Sequence, residues 1–175
     1  MTNFLLSIIV PVFNEEQNID PLIKRLTPIL KDSLYEIIFI DDGSKDKTPT
    51  FIKRQSAKNK NVKLISFYRN FGLQMALVAG YKVAKGDCVI TIDADLQDPP
   101  EIISEMIEKW QKGAKIVYAK RQERQGENFF KKYTATLFYQ LINFLSDTPI
   151  PQEVGDFRLL DKQVVEFLNN LNERP

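Results

Sequence analysis

The sequence predicts an α/β protein with a mostly parallel sheet covered by helices on both faces, and three observations support this. Five short apolar, β-branched segments alternate with segments of helical period. Turn residues and prolines stand at the junctions between them. The chain has 175 residues, of which 43% are apolar, enough for the core of one domain. This alternation is typical of parallel strands joined by helical crossovers.

The elements follow in order along the chain. Strands are predicted at LLSIIVPVF, EIIFI, VKLISF, CVITI and KIVYA. Helices are predicted between them at residues 17–31, 48–58, 73–84 and 100–112. DDGSKDKT supplies turn residues and a helix cap after the second strand, and DPPE places a proline at the start of the fourth helix.

The last third of the chain has a different character. A polar segment precedes an aromatic-rich helical pattern at residues 129–146, which is expected to pack on the sheet, with contact to a lipid surface as the alternative. FRLLDKQVVEFLNNL, from residue 157, predicts a short strand and a final helix.

Composition excludes several kinds of site. There is no histidine, which removes imidazole chemistry. Cys88, the only cysteine, lies in an apolar run and is predicted to be a buried thiol. A net charge of +1 gives no overall polyanion-binding signature, so no nucleic-acid partner is expected. The N-terminal run reads as a strand, and no run approaches the about 18 apolar residues of a membrane span.

Unusual polar residues follow the predicted strands. PVFNEE follows the first strand, DDGS the second, YRNFG the third, DADLQD the fourth and KR the fifth. In open α/β sheets, ligands bind beyond the carboxyl ends of the strands. The sequence therefore predicts a binding site at this edge of the sheet.

Asp93 and Asp95 are the candidates for a metal site. They stand at the end of the fourth strand, where a turn after Ile92 can bring both carboxylates to one hard cation. Magnesium or manganese, held by one or two carboxylates and a substrate diphosphate, is the expected arrangement. The alternative is that these aspartates form turns and helix caps, and Asp98, directly before a proline, is expected to be only a cap.

Two more acidic segments extend this edge. Asp41 and Asp42 end the second strand, where a carboxylate can accept hydrogen bonds from a ribose or a base, although DDGS alone is a good turn. Asn14 and Glu15 follow a proline that fixes the backbone, and they can present carbonyls and a carboxylate to a nucleobase. A helix cap formed by Asn14 is an equal alternative.

A basic segment follows the fifth strand. Residues 120–132 contain five cations and two glutamates, a local charge of +3 against −2 for the rest of the chain. Such a segment can hold a phosphate that the acidic edge would repel. A solvated loop and helix start is the alternative.

Taken in order, SIIVPVFNEEQNI, EIIFIDDGSKDKT, RNFGLQMALVAGYKVAKGDCVITIDADLQDPPE and GDFRLLDKQVV resemble glycosyltransferase family 2 over nearly the whole chain. Within it they most resemble the polyprenyl-phosphate (dolichol- or bactoprenol-phosphate) hexosyltransferases. The resemblance implies a nucleotide-diphosphosugar transferase (GT-A, Rossmann-like) fold in one catalytic domain. Residues 1–119 would be the nucleotide-sugar-binding core, and residues 120–175 the acceptor-side segment and closing helices.

The same resemblance implies an activity. It is a metal-dependent, inverting transfer of a hexose to a polyprenyl phosphate on the cytoplasmic face of a membrane, with Mg²⁺ or Mn²⁺ as cofactor. UDP-glucose is the favoured donor and GDP-mannose the next. A membrane surface is an implied partner, and self-association is open. Family members usually continue into amphipathic and membrane-spanning helices, so the chain is expected to be a shortened form or a peripheral membrane protein.

The resemblance also assigns site residues. The residues that would hold the nucleoside are Pro11, Phe13, Glu15 and Asp42. Those that would hold the nucleotide sugar are Asp93 and Ala94. The metal would be bound by Asp95 and Gln97, with Asp93 beside them. The acceptor phosphate would be bound by Arg121, Arg124, and Lys131 or Lys132. The catalytic pair would be Asp95 and Asp156, where Asp156 stands at the place of a base or an acceptor-positioning carboxylate.

Asp156 is predicted to orient the acceptor or the sugar at least as much as it removes a proton. A phosphate monoester has a second pKa of about 6, so it is already largely ionised at neutral pH. An ionised nucleophile hardly needs a general base.

Two other classes of protein share part of the pattern. A phosphorylation-responsive receiver module also uses an acidic pair, a further aspartate at a strand end and a lysine after the fifth strand. Here the acidic pair follows the second strand, and no single aspartate is isolated as a phosphoacceptor. A catalytically inactive sugar-nucleotide-binding domain would bind UDP or GDP but would transfer nothing.

Overall fold

The computed structural model describes residues 3–120 and 154–171, in which strands and helices alternate as predicted. The strands are β1 Leu5–Val12, β2 Leu34–Asp41, β3 Val62–Ser66, β4 Cys88–Thr91, β5 Ile116–Lys120 and β6 Val154–Asp161. The helices are α1 Ile19–Leu30, α2 Thr48–Lys58, α3 Leu73–Val83, α4 Ile103–Gln111 and α5 Lys162–Asn170. A short 3₁₀ turn, Pro100–Ile102, precedes α4. Within these ranges, no helix combines the length and the apolar character needed to cross a membrane.

The strands form one six-stranded sheet in the order β3-β2-β1-β4-β6-β5. β1 pairs in parallel with both β2 and β4, and β2 pairs in parallel with β3. This confirms the predicted α/β class. The chain moves outward from β1 to β3 and then crosses to the other side of β1 to form β4. That crossing makes a topological switch point at the carboxyl ends of β1 and β4, where such folds bind ligands.

β6 runs antiparallel to β4 and lies between β4 and β5. The sequence predicted a short strand in this region but not its place in the sheet. β6 also begins at Val154, three residues before the predicted start. Its placement follows from pairing across more than 60 residues of chain, from Thr91 to Arg158, which local periodicity does not report.

The start of the fourth helix departs from the prediction. Pro99 holds the N-cap position with extended backbone and no side-chain capping bond, and the following turn is 3₁₀ before α4 begins. The expectation that Asp98 only caps the helix is therefore wrong. Asp98 is buried instead. Pro99 is extended because Pro100 disfavours helical backbone in the residue before it, so the helical turn begins only at Pro100.

The core lies on both faces of the sheet, as predicted. On one face Ile8 packs in a cluster with α1 and α4 residues, and on the other Ile9 packs in a cluster with α3 and α5 residues. Neighbouring residues of a strand point to opposite faces, which is why β1 is apolar along its whole length. At Gly80 of α3, a Cβ atom would lie 2.5 Å from Cγ2 of Ile9, so only glycine allows this close packing.

Cys88 is a buried thiol, as predicted. Burial raises its pKa to about 12, with further contributions from the negative charges of Asp87 and Asp161. At neutral pH the thiol is therefore protonated and unreactive.

A buried polar cluster joins three strands at the amino end of the sheet. Glu36 of β2 is 3% exposed. Its carboxylate accepts hydrogen bonds from Ser7 Oγ at 2.5 Å, from Lys63 Nζ at 2.5 Å and from the Lys85 backbone N–H at 2.8 Å. Burial opposes ionisation of Glu36, but these hydrogen bonds together outweigh it and lower the pKa of the carboxyl.

We expect Glu36→Gln to lower the free energy of unfolding by about 1–3 kcal/mol at pH 7, because a buried hydrogen-bonded charge is lost. Because the pKa of Glu36 is lower in the folded protein than its ordinary value of 4.5, the carboxylate stabilises the folded state fully at a pH above 4.5. This stabilisation is lost as the pH falls through the folded-state pKa. The difference between the two proteins should therefore shrink below that pH in urea unfolding experiments.

The matched control is Glu108→Gln, because Glu108 is exposed on α4. Its effect should stay within about 0.5 kcal/mol. A Glu36→Gln difference that stays constant down to acid pH would contradict the role given to this carboxylate.

Candidate functional site

A pocket of about 370 Å³ lies at the predicted edge of the sheet. The predicted site residues that line it are Pro11, Phe13, Glu15, Asp42, Asp93, Ala94 and Asp95. The remaining lining residues, none of which was individually assigned to the site from the sequence, are Val12, Asn70, Gly72, Leu73 and Ala76. The carboxyl ends of β1 and β4 and the start of α3 thus form the walls of one pocket.

Asp93 and Asp95 form the acidic end of this pocket. Ile92 and Ala94 are buried, and the aspartates on either side of Ala94 line the pocket together with it. The Asp95 Oδ1 atom accepts a hydrogen bond from the Gln97 backbone N–H at 3.0 Å, and Leu96 between them has a left-handed φ of 62°. This tight turn orients the Asp95 carboxylate.

Gln97 does not line the pocket, and it is exposed. Its backbone contributes to the site by holding Asp95. A metal-binding role for its side chain stays a prediction.

The acidic end fits a divalent cation that arrives with a diphosphate. In the described parts of the chain, no group of three or more histidine, cysteine or acidic residues is placed to hold a metal ion without other ligands. Magnesium is usually held by one or two carboxylates together with substrate phosphates. Two carboxylates in an open pocket match that donor set.

Asp42 holds the entrance to α3. Its Oδ1 accepts from the Phe71 backbone N–H at 2.7 Å, and its Oδ2 accepts from the Gly72 backbone N–H at 2.9 Å. Gly72, with a left-handed φ of 92°, is the N-cap residue of α3. Each oxygen of an ionised carboxylate has a further acceptor site, so Asp42 can still accept a bond from a ligand. Its neighbour Asp41 accepts from the Ser44 backbone N–H at 3.0 Å, which is a turn-forming role.

Asn14 ties the loop after β1 to the loop after β2. Its backbone N–H donates to Ser44 Oγ at 2.9 Å, and its Oδ1 accepts from the Lys45 backbone N–H at 2.9 Å. The proposed helix cap by Asn14 is wrong, because Asn18 is the N-cap residue of α1. Glu15 accepts from Asn18 Nδ2 at 2.5 Å and also lines the pocket.

Asp156 lies beside the acidic end. Thr91 is paired with Arg158 in the antiparallel ladder, so two further residues along each strand place Asp156 across from Asp93. The Thr91 hydroxyl donates to the Asp156 backbone carbonyl, which supports this register. The Asp156 side chain is 33% exposed, and its Oδ1 lies 3.8 Å from Arg158 Nη2. A third carboxylate is therefore close to the pocket without lining it.

The four predicted acceptor-phosphate residues Arg121, Arg124, Lys131 and Lys132 lie outside the described residues. Among the pocket residues that sequence reasoning missed, Asn70 and Gly72 belong to the YRNFG segment, which did stand out as polar residues after a strand. Leu73 and Ala76 carried no such signal, because they are also regular members of a helical pattern.

The sequence of the chain is similar to those of known proteins. The family described as glycosyl transferase family 2 matches residues 7–168. The chain is 47% identical over 170 residues to the uncharacterized glycosyltransferase YkcC of Bacillus subtilis (strain 168), covering 96% of this chain and 53% of that protein. It is 47% identical over 171 residues to the bactoprenol glucosyl transferase of Shigella phage SfV, covering 97% and 56%. The chain therefore spans about half the length of these relatives.

Two solved structures share the fold. The mannosyltransferase PcManGT from Pyrobaculum calidifontis, in complex with GDP-Man and Mn²⁺, has a TM-score of 0.63 at 21% identity, covering 96% of this chain and 47% of that one. Glucosyl-3-phosphoglycerate synthase from Mycobacterium tuberculosis, with Mn²⁺, UDP-glucose and phosphoglyceric acid, has a TM-score of 0.67 at 22% identity, covering 93% and 58%. These likenesses confirm the predicted GT-A fold.

We expect Asp42→Asn to destabilise the ligand-free protein by about 1–3 kcal/mol, because an amide can accept only one of the two backbone N–H bonds, and a bond from a partly buried donor to a charged group is lost. Urea unfolding without ligand measures this. Glu15→Gln is the control, since a glutamine oxygen retains the bond from Asn18, and its effect should be below about 0.5 kcal/mol. Equal stability of Asp42→Asn and the parent chain would mean that Asp42 does not hold this loop.

Proposed function

The chain belongs to glycosyltransferase family 2, and from that premise we propose that it is the catalytic domain of an enzyme that transfers a hexose from a nucleotide sugar to a polyprenyl phosphate. One observation carries the proposal. Asp93 and Asp95 share a single pocket, at the switch point of a parallel sheet, with the side chains assigned to the nucleoside. A receiver module gains no support, since the acidic pair after β2 is engaged in holding backbone N–H groups.

The shape of the pocket supports a nucleoside diphosphate as the donor's common part. Phe13 lines it and is 43% exposed, so its ring is available to a nucleobase. Asp93 and Asp95 follow the end of β4, and a diphosphate reaches them if the base lies near the end of β1. UDP-glucose is the favoured donor, in line with relatives that are named bactoprenol glucosyl transferases. GDP-mannose is the second choice.

Asp93 and Asp95, with Gln97, would hold Mg²⁺ or Mn²⁺. When bound, a divalent cation stabilises the negative charge that builds up on the departing diphosphate. The solved neighbours that contain Mn²⁺ support a divalent metal for this fold. Asp42 and Asn14 contribute indirectly, because they fix the loops that shape the pocket.

The proposed reaction is a single displacement with inversion. An oxygen of the acceptor phosphate forms a bond to the anomeric carbon, while the bond from that carbon to the diphosphate oxygen breaks and the nucleoside diphosphate leaves. Asp156 orients the acceptor or the sugar, because the acceptor oxygen is already ionised at neutral pH. Arg121, Arg124, Lys131 and Lys132 would bind the acceptor phosphate, and its prenyl tail would place the reaction at the cytoplasmic face of a membrane.

We expect UDP-glucose with Mn²⁺ to raise the melting temperature by about 5–10 °C at a hundredfold excess over Kd. GDP-mannose should give a smaller shift in melting temperature. A chelator of divalent cations should remove most of the shift with either nucleotide sugar. Asp95→Asn should abolish the metal-dependent part, because one metal-binding carboxylate is lost. Thermal shift assays with UDP, GDP and their sugars, with and without metal, measure this.

The matched control for that experiment is Asp32→Asn, since Asp32 is exposed just before β2, at the amino end of the sheet. It should retain the full metal-dependent shift. Equal shifts with and without metal would contradict the role of the acidic end. The absence of any nucleotide-induced shift would contradict the proposed function.

We expect Asp156→Asn to keep turnover within about tenfold of the parent chain while raising the KM for polyprenyl phosphate, because positioning is weakened but no proton transfer is lost. Release of UDP in detergent solution measures turnover. A fall of about a hundredfold or more, with donor-induced thermal shift unchanged, would instead assign general-base catalysis to Asp156.

A further inference from the structure

Positive charge is concentrated in one continuous part of the chain. Residues 47–86 contain nine lysines and arginines and no aspartate or glutamate. The remaining residues carry a net charge of −8. The whole-chain value of +1 conceals this segregation, and the segment is separate from the basic residues at 120–132.

The fold places seven of these nine cations around one edge of the sheet. They lie on α2, β3 and the adjoining loops, and β3 is the terminal strand at that side of the described sheet. The other two, Lys82 and Lys85, lie at the end of α3, which packs on β1 and β2. All nine are exposed. Arg54 pairs with Asp20, and Lys63 pairs with Glu36. The other seven of the nine form no ion pair with a carboxylate of residues 3–120 or 154–171. We call the seven exposed cations of α2, β3 and their adjoining loops the basic edge.

An exposed aromatic loop stands at the carboxyl end of the basic edge. Residues 67–72 connect β3 to α3, and Tyr68 in this loop is 85% exposed. The rings of Tyr68 and Phe71 lie 5.5 Å apart, and the Arg69 guanidinium lies 4.5 Å from the centroid of the Phe71 ring. Leu73 and Met75 add exposed aliphatic surface directly after the loop. Aromatic and aliphatic side chains beside cations are typical of segments that enter the interfacial region of a bilayer.

We propose that the basic edge and the 67–72 loop together dock the protein on a membrane surface that contains anionic lipids. The cations are attracted to the negative surface potential, and Tyr68 and Phe71 enter the headgroup region. Leu73 also lines the pocket, so docking through this loop brings the pocket mouth to the bilayer. The benefit of placing the pocket mouth at the bilayer rests on the proposed function, because only a lipid acceptor requires the pocket to face the membrane.

The same features disfavour a nucleic acid as the occupant. Cations alone would suit a phosphate backbone. The exposed Leu73 and Met75 side chains follow the aromatic pair in the chain. Aliphatic side chains are stabilised when they leave water for the acyl-chain region of a bilayer, whereas contact with phosphates or sugars does not stabilise them in this way. The combination therefore favours a lipid surface.

Sedimentation of the 175-residue chain with vesicles tests the proposal. Vesicles of phosphatidylcholine alone are compared with vesicles in which about one third of the lipid is phosphatidylglycerol. We expect binding to the anionic vesicles only, weakened by high salt. Reversing two cations of α2, as Lys53→Glu with Lys58→Glu, should weaken binding by about tenfold or more. Tyr68→Ser should weaken it by about threefold or more, with the salt dependence unchanged.

The matched control reverses Lys109 and Lys112 to glutamate. These exposed lysines lie in the last turn and at the C-cap of α4, and α4 leads into β5, at the opposite end of the sheet from β3. The control pair changes the net charge equally and should bind within about twofold of the parent chain.

Three outcomes would overturn the proposal: unchanged binding of the Lys53 and Lys58 variant, an equal loss in both charge variants, or preference for an RNA oligonucleotide over the anionic vesicles. The vesicles contain neither nucleotide sugar nor polyprenyl phosphate, so their binding is independent of catalysis. Vesicle docking without any nucleotide-induced thermal shift would count against the proposed function alone.

Discussion

Parallel pairing of β1 with both β2 and β4 is the constraint on which the site depends. Val12 at the end of β1 is paired with Asp41 at the end of β2, and Ile9 is paired with Thr91 at the end of β4. Because parallel strands point the same way, the segments that follow them emerge at one edge. Side chains that are far apart in the chain therefore meet in one pocket, and a one-residue slip of any pairing would exchange the residues that face the two sides of the sheet.

Hydrogen-bonded polar side chains fix this arrangement at both ends of the strands. At the amino end, Glu36 joins β2 to β1, to β3 and to the turn before β4. At the carboxyl end, Asn14 joins the first two loops, and Asp42 joins the second loop to the start of α3. The pocket is thus framed by side chains that are already held in place by hydrogen bonds within the protein. This reduces the entropic cost of ordering them around a ligand.

Charge is divided between two surfaces with different tasks. The pocket presents carboxylates, which suit a cation and its diphosphate, whereas the basic edge presents cations beside exposed aromatic rings. A single surface could not serve both, because carboxylates and anionic headgroups repel. Leu73 belongs to the pocket wall and is exposed beside the aromatic loop, so the two surfaces meet at the start of α3.

Local patterns in the sequence determined the strands, the helices, the two-faced core and the candidate residues at the strand ends. The bounds of α2, Thr48–Lys58, agree with the prediction, because a turn-rich segment and a periodic apolar pattern mark them locally. Tertiary structure alone decided that β6 enters between β4 and β5, that Asp156 lies across from Asp93, and that Asp42 holds Phe71 and Gly72. These outcomes depend on which distant segments pair and in which register, and hydrophobic periodicity carries information only about neighbours along the chain.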